Sequence, residues 1–471
     1  MGERHRNRIL LLLFVGVLMG ALDIAIVGPA LPAIQRAFAV GERTLAWIFT
    51  IYVLFNLVGT PLMAKLSDIF GRRLIYAADV GLFAVGSLIV ASATSFPMII
   101  LGRAVQGLGA GGVFPVASAV IGDTFPPEKR GSALGLIGAV FGIAFLIGPI
   151  LGGVLLMFGW RWLFLINLPI ALGVIVASLR LLPSGKIARR RGFDAVGMAI
   201  ISVLLASLAY GLNQLDTSQL TASLTSTRVW PFLAVSLLSV PLLIAWERRQ
   251  DDPVIHLSLF RSRQIALASV FSTGAGLSEA ALVFIPALIV AAFGVSESTA
   301  SFMLIPAVVA MAVGAPVAGR LLDRQGSRLV VIVATMLLTL GLLVLSLLAQ
   351  GLGLFYVAGI LIGLGLSMLL GAPLRYIVLA EAPLRDRAAA QGVLSLFTSV
   401  GQLVGGALVG AVAASRGGGV PGYRAAYLLV GVLSAVLIVL ALRLKSRREE
   451  LETVRANEMA REEPQAVVQE A

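Results

Sequence analysis

The stretch Lys65-Leu-Ser-Asp68-Ile-Phe-Gly71-Arg72-Arg73 returns later in the chain as Arg320-Leu-Leu-Asp323-Arg-Gln-Gly326-Ser-Arg328. Each copy places a basic residue, a carboxylate three positions later, a glycine three further on and an arginine two after that. Both copies lie in a short polar break between two long apolar runs. This repetition predicts two related halves, each with a charged hinge loop at the same place.

The composition points to the membrane. Of the 471 residues, 58% are hydrophobic and 13% are charged, whereas a soluble globular chain is about 25% charged. The apolar runs are continuous and long enough to cross a hydrocarbon core of about 30 Å as helices. They do not alternate as the strands of a membrane β-barrel do. We therefore predict an all-α polytopic membrane protein.

Cysteine and histidine usage argues against an enzyme. The chain has no cysteine, and its two histidines, His5 and His256, fall in the N-terminal tail and in a loop. Thiolate and histidine metal sites inside the membrane are therefore excluded. A membrane enzyme would need convergent His, Cys or Ser–base groups, which the apolar runs do not offer. We expect no enzymatic activity, no metal and no cofactor.

The net charge of +12 is explained better by orientation in the membrane than by nucleic-acid binding. With the N-terminus inside, 28 of the 36 Lys and Arg residues fall in cytoplasmic segments, most densely in the stretch 186–191. This bias follows the positive-inside rule. The first apolar run lacks a cleavage site and is interpreted as a retained helix. We predict the inner membrane of a bacterium, with both termini cytoplasmic.

Fourteen spans are predicted. The repeated loop then falls between spans 2 and 3 and between spans 10 and 11, so spans 1–6 pair with spans 9–14. The loops that begin at Asp123 and Glu381 also resemble each other. A count of twelve would discard 193–213 and 229–246, which are long and apolar enough to cross. The predicted spans are 9–35, 44–66, 74–94, 97–121, 131–157, 161–182, 193–213, 229–246, 264–292, 297–320, 329–350, 352–380, 388–413 and 421–443.

The predicted organisation is two six-helix bundles with an inserted two-helix hairpin. The N-terminal bundle covers 1–185, a linker with the two extra helices covers 186–262, and the C-terminal bundle covers 263–445. The segment 446–471 is predicted to be a cytoplasmic tail. Its Glu-rich part beyond about Arg448 is expected to be a frayed helix or disordered.

Three ionisable residues lie at similar depth within spans, namely Asp23, Arg103 and Glu279, as judged from helical rise. Charges in hydrocarbon are costly and are functional hypotheses by default. A carboxylate that gains or loses an arginine neighbour during a conformational change can take up and release a proton. We predict proton coupling or substrate binding at these residues. The alternative is a buried ion pair that holds helices together.

Each hinge loop is predicted to act as a latch on the cytoplasmic gate, with its glycine permitting a tight turn. Loop charge that only sets topology is the alternative, but it leaves the matched Asp and Gly unexplained. The residues of this predicted gate are Lys65, Asp68, Gly71, Arg72, Arg73, Asp323, Gly326 and Arg328.

Two further patterns lie on helices. Span 5 carries small residues and a Gly-Pro step, which favour close packing and bending. One face of span 13 is polar, which indicates either a helix contact or a water-filled path. The span 5 residues are Gly148, Pro149, Gly152 and Gly153, and the predicted cavity-lining residues are Asn56, Gln106, Gln391, Ser395, Thr398 and Gln402.

These motifs resemble those of the major facilitator superfamily, in its fourteen-helix drug:proton antiporter branch. The loop Lys65–Arg73 looks like the signature between helices 2 and 3. The run Arg103-Ala-Val-Gln106-Gly107-Leu-Gly109 looks like the helix 4 motif associated with proton coupling. The Gly-Pro region of span 5 resembles the antiporter motif, and the segments 23–32 and 160–169 are similar to the fourteen-helix branch. The resemblance implies the major facilitator fold and alternating access.

We therefore predict a multidrug efflux transporter that exports amphipathic small molecules in exchange for protons. Asp23 is the expected proton carrier, Arg103 its modulator, and Glu279 a second proton or cationic-substrate site. The alternative is an importer or a lipid or metabolite carrier on the same fold. The expected partners are membrane lipid and small amphipathic substrates, with no nucleic acid, and the protein is expected to be a monomer.

Overall fold

The computed structural model describes residues 3–183, 194–250, 255–348, 351–383 and 387–453. Within these ranges, fourteen helices are long and apolar enough to cross a membrane, which confirms the predicted number of spans. The basic stretch 186–191 and the tail beyond residue 453 lie outside the described residues. The helices are α1 Glu3–Phe38, α2 Glu42–Phe70, α3 Arg72–Ala91, α4 Phe96–Thr124, α5 Pro127–Leu156, α6 Trp162–Leu181, α7 Ala195–Asn213, α8 Trp230–Glu247, α9 Arg263–Phe293, α10 Glu297–Gln325, α11 Ser327–Leu347, α12 Leu352–Glu381, α13 Arg387–Ser415 and α14 Gly419–Ala441.

The same helix pairs recur in the two halves. In the first half α1 packs on α5, α2 and α3 pack on α4, and α3 packs on α6. In the second half α9 packs on α13, α10 and α11 pack on α12, and α11 packs on α14. The predicted fold class, two six-helix bundles with an inserted hairpin, is confirmed.

A glycine with positive φ separates the helices at each hinge. Gly71 lies between α2 and α3 with a φ of 94°, and Gly326 lies between α10 and α11 with a φ of 82°. This backbone region is open to glycine and strained for residues with a Cβ. Both turns lie at the same end of the bundles, here termed the hinge end. The opposite end is termed the far end.

The two halves meet at the far end. Arg36, at the end of α1, forms an ion pair with Glu297, at the start of α10. The backbone N–H of Gly419 donates to Glu42 Oε1 at 3.0 Å. Toward the hinge end, a Cβ added to three glycines of α5 would meet no protein atom within 4 Å. The glycines concerned are Gly135, Gly138 and Gly142.

The inserted hairpin of α7 and α8 contacts both halves at the far end. Arg43, at the start of α2, donates through Nη1 to Gln214 O at 3.0 Å and through Nη2 to Leu215 O at 2.9 Å. Ser415 Oγ, at the end of α13, donates to the same Leu215 carbonyl at 3.3 Å. The hairpin is therefore bonded to the seam between the bundles.

The start of the tail is more ordered than its composition predicts. Residues 447–453 are helical, and Glu450 is only 6% exposed. A helix here agrees with the first of the two expected forms, and its Arg447 and Glu450 contact the hinge end of the second half.

Candidate functional site

A buried polar network in the first half centres on Asp23 of α1. Its Oδ2 accepts a hydrogen bond from Arg103 Nη1 at 2.6 Å. Its Oδ1 accepts from Gln106 Nε2 at 2.7 Å and from Asn167 Nδ2 at 3.3 Å. Asp23, Arg103 and Gln106 are each 0% exposed. Three helices, α1, α4 and α6, thus share one carboxylate in a site closed to solvent.

Arg103 is held from several directions. Its Nε donates to Ile48 O at 3.1 Å, and its Nη1 also donates to Gln106 Oε1 at 2.6 Å. The guanidinium lies over the Tyr52 ring, 4.1 Å from the ring centroid. Such stacking uses the planarity of guanidinium, which an ammonium lacks. Nη2 has no hydrogen-bond partner among the described residues, so its two N–H groups remain available inside the site.

Two members of the network were missed by the sequence reasoning. Ser87 Oγ, on α3, accepts from Gln106 Nε2 at 2.9 Å and from Asn167 Nδ2 at 3.2 Å. A lone serine in an apolar span carries no signal of its own. Asn167 lies in the segment 160–169 that resembles the fourteen-helix branch. A polar amide inside an apolar span was the sequence feature that could have identified it as a site residue.

Glu279 lies apart from this network, in the second half. Its Oε2 accepts from Gln402 Nε2 at 2.9 Å, which joins α9 to α13. The two backbones are in close contact on either side of this bond, since a Cβ on Gly276 would lie 1.9 Å from Thr398 O. Glu279 is 9% exposed. The structure therefore brings Asp23 and Arg103 together but places Glu279 in a separate site.

The Gly-Pro region of α5 lies where three helices meet at the seam. A Cβ on Gly148 would come within 2.5 Å of Ala25 Cβ in α1, and one on Gly153 within 2.8 Å of the Phe302 ring in α10. Ser301 Oγ donates to Pro149 O at 2.7 Å. Small residues here allow α5 to contact both the helix of Asp23 and the opposite half.

The residues predicted to line a cavity differ in exposure. Gln106 belongs to the buried network. Gln391 Nε2 donates to Arg375 O at 3.2 Å, and Thr398 Oγ1 donates to Leu394 O at 2.9 Å within its own helix. Ser395 is exposed, and the half-buried residues are Asn56, Gln391, Thr398 and Gln402.

The first hinge is held by ion pairs. Arg72 Nη1 lies 2.6 Å from Asp68 Oδ1, and its Nε lies 3.1 Å from Asp123 Oδ2 at the end of α4. Lys65 and Arg73 are half-buried beside them. At the second hinge, Asp323 is exposed and forms no ion pair within the described part of the chain, and Arg328 is half-buried.

Asp79 of α3 is a further buried acid. It is 0% exposed, and neither of its oxygens has a hydrogen-bond partner among the residues that the structure describes. A Cβ on Gly112 of α4 would lie 2.2 Å from Asp79 Oδ2. The glycine thus makes room for this carboxyl group.

Similar proteins agree with this architecture. A multidrug resistance protein, Stp, from Mycobacterium tuberculosis is 31% identical, covering 85% of this chain and 74% of the relative. The tetracenomycin C resistance and export protein of Streptomyces glaucescens is 32% identical, covering 87% and 76%. An uncharacterised MFS-type transporter, YfiU, from Bacillus subtilis is 35% identical, covering 82% and 76%.

A solved structure shows the same fold. The crystal structure of a bacterial homologue of the human lysosomal transporter Spinster, inward-facing and unoccupied, matches with a TM-score of 0.67 at 16% identity. The match covers 97% of this chain and 99% of the chain of that structure. The family model of the Major Facilitator Superfamily matches residues 13–281 and 265–468. The chain therefore belongs to the major facilitator superfamily, in the branch of multidrug efflux transporters, and is a multi-pass membrane transporter rather than an enzyme.

Proposed function

We propose that this transporter exports amphipathic small molecules across the bacterial inner membrane in exchange for protons. The hinge end faces the cytoplasm, as the distribution of Lys and Arg favours. The structure, closed between the halves at the far end, then represents the state that receives substrate from inside. No resident cofactor is needed, because the proton gradient supplies the driving force.

The observation that carries this proposal is the closed network around Asp23. A carboxylate with 0% exposure, bonded by three side chains, cannot exchange a proton with water in this conformation. Proton uptake requires the network to open, and protonation removes the charge that holds Arg103 Nη1 at 2.6 Å. Because the two events need each other, proton binding and conformational change are coupled.

The α5 contact gives this coupling a mechanical route. Asp23 and Ala25 lie within one turn of α1, and Ala25 contacts Gly148. The same stretch of α5 accepts hydrogen bonds from the second half, through Pro149 O and Gly153 O. A shift of α1 at Asp23 is therefore transmitted to the seam that closes the far end.

Glu279 is proposed as a second proton site or as the anchor of a cationic substrate. It lies beside the polar face of α13, in the half opposite to Asp23. One acidic group among apolar helices suits an amphipathic cation, since apolar pockets use few polar groups for orientation. The name of the Streptomyces relative, a resistance and export protein, supports export as the direction.

The test is proton-coupled transport in inverted membrane vesicles, with a fluorescent dye as substrate and a pH probe in the lumen. Asp23→Asn preserves size but cannot carry the proton. We expect dye transport driven by the pH gradient to fall by at least about tenfold, roughly 1.4 kcal/mol in the coupled step. Asp216→Asn, at a half-buried position in the loop after α7, is the matched control and is expected to retain transport, because Asn keeps the Oδ1 that accepts from Ser218.

The outcome that contradicts this proposal is wild-type coupled transport by Asp23→Asn. Accumulation by intact cells that depends on the protein, under an imposed gradient of either sign, would instead identify an importer.

A further inference from the structure

The two hinges differ at the position that follows the glycine. In the first hinge, Arg72 joins Asp68, at 2.6 Å, to Asp123, at 3.1 Å. It thereby holds the ends of α2 and α4 to the start of α3. In the second hinge, Ser327 occupies the position of Arg72, and its side chain is too short to bridge Asp323 and Glu381, the counterparts of the two carboxylates. The residue after the glycine therefore supplies no bridging cation in the second hinge.

The start of the tail supplies that cation. Lys445 Nζ pairs with Glu381 at the end of α12, and Glu381 also accepts from Ser262 Oγ at 2.9 Å. The backbone N–H of Lys445 donates to Gln264 Oε1 of α9 at 3.3 Å. Lys445 thus reaches the carboxylate that corresponds to Asp123 in the first hinge.

The tail also contacts the hinge turn directly. Glu450 Oε2 accepts from the backbone N–H of Ser327 at 3.1 Å, and Oε1 accepts from the Ser327 hydroxyl. Arg447 Nη1 donates to Leu322 O, near the end of α10, at 3.1 Å. A Cβ on Gly326 would lie 3.0 Å from Arg447 Cβ and 2.8 Å from Glu450 Oε2. The carboxylate at 6% exposure satisfies an orphan amide at the N-terminus of α11.

The tail helix has its own start signal. The Ser446 backbone N–H donates to Glu449 Oε2 at 2.6 Å, and the Ser446 hydroxyl donates to the same oxygen at 2.9 Å. This is the capping-box arrangement of Ser and Glu three residues apart. These hydrogen bonds, the backbone one first, lower the pKa of the Glu449 carboxyl. The box therefore holds at neutral pH and is lost only as the pH falls through that lowered value.

We propose that Lys445, Arg447 and Glu450, here termed the tail clasp, complete the second hinge by joining the three helix ends that Arg72 joins in the first. Lys445 and Glu450 are positioning residues for the hinge-end gate. Lys445 holds the end of α12, Arg447 holds the end of α10 and Glu450 holds the start of α11, so that this corner of the second half moves as one body. The first hinge is complete within its own half, whereas the second depends on the chain beyond the last span.

Docking of the clasp is tested without any substrate, by hydrogen exchange in the full-length protein in lipid nanodiscs. Glu450→Ala removes the acceptor of the Ser327 amide. We expect that amide to exchange about fivefold faster, as for loss of a helix cap. Arg448→Ala is the matched control, since Arg448 is exposed and forms an ion pair within the tail helix, with exposed Glu452. Exchange of the Ser327 amide in this variant is expected to match wild type. Unchanged exchange in Glu450→Ala would overturn docking.

The role in gating is tested by restoring the pattern of the first hinge. The double variant Lys445→Ala with Glu450→Ala is expected to transport dye about fivefold or more slowly, at wild-type abundance in the membrane. Adding Ser327→Arg to that variant places an arginine where Arg72 stands, within reach of Asp323 and Glu381. We expect this third change to restore at least half of the lost rate.

Two outcomes of this experiment overturn the gating role. One is wild-type transport by the double variant, and the other is a folded triple variant that remains as slow as the double one. A purely structural contribution of the tail would not be rescued by an arginine at 327. If the wild-type protein moves no dye, the proposed function fails, whereas the exchange experiment still decides the docking.

Discussion

Arg103 contacts its neighbours through Nε, Nη1 and the flat face of its guanidinium. It bonds a carboxylate, an amide and a backbone carbonyl, and it stacks on Tyr52. Lysine keeps the charge but offers neither the fork nor the flat face. We predict that Arg103→Lys leaves part of the network unpaired and lowers the free energy of unfolding by about 3 kcal/mol, together with loss of coupled transport.

Thermal or denaturant unfolding of the purified protein, followed by tryptophan fluorescence, measures the first effect. Arg448→Lys, at an exposed position, controls for the effect of replacing an arginine with a lysine. Equal stability of Arg103→Lys and wild type would show that the guanidinium contacts contribute little.

At this scale the sequence predicted the charged members of the site but not their arrangement. Asp23 and Arg103 were recognisable because a charge inside an apolar run is costly. Ser87 and Asn167 were not, since their role depends on which face of α3 and of α6 meets α4. Depth alone also grouped Glu279 with Asp23, whereas the lateral position of a helix in the bundle places it in the other half.

Helix α4 packs closely through its glycines. A Cβ on Gly107 would lie 2.4 Å from Tyr52 O, and one on Gly109 would lie 2.4 Å from Asp79 O. These contacts set the position of Arg103 and Gln106, which lie within about two turns of Gly109 on the same helix. The close approach of α2 and α3 to α4 therefore determines the geometry of the network.

We predict that Gly109→Ala forces α3 away from α4 and costs about 1–3 kcal/mol of stability, with a marked loss of dye efflux. The measurements are unfolding and vesicle transport. Gly122→Ala, on the same helix with no atom within 4 Å of the added carbon, is the control and is expected to be neutral or slightly stabilising. A Gly109→Ala protein as active and as stable as this control would contradict the packing argument.

The whole molecule is closed at the far end by contacts between halves, including the ion pair of Arg36 and Glu297. The chain has no cysteine, so a pair introduced as Arg36→Cys with Glu297→Cys can cross-link only with itself or with a second molecule. Because cysteine is much shorter than either native side chain, a bifunctional methanethiosulfonate reagent is used to span the pair. We predict that this cross-link joins the halves and stops efflux, and that a reductant, which cleaves it, restores efflux. Alternating access requires the far end to open.

Each single cysteine variant controls for the loss of the ion pair. Gel mobility after proteolysis between the halves measures the extent of cross-linking. Continued efflux by fully cross-linked protein would show that the far end need not separate during transport.

The architecture was largely predictable at this scale, because the duplication and the lengths of the apolar runs can be recognised from short stretches of sequence. Lys65–Arg73 and its second copy fixed the pairing of helices in the two bundles. The hairpin was predicted as an insertion, but the bonding of Leu215 to both halves was not, since loop carbonyls leave no pattern. The docking of the tail was not predicted for a related reason, because Glu450 finds its partner in a hinge that lies more than a hundred residues earlier.

The two hinges also differ in when they can form during synthesis. Asp68, Arg72 and Asp123 have all been made once α4 is complete, so the first hinge can assemble while the ribosome is still translating. The second hinge must wait for Lys445 and Glu450, which follow the last span. Its helices α10 and α11 therefore remain without their final contacts until translation is almost finished. A nascent chain stalled within α14 would have one finished hinge and one open hinge.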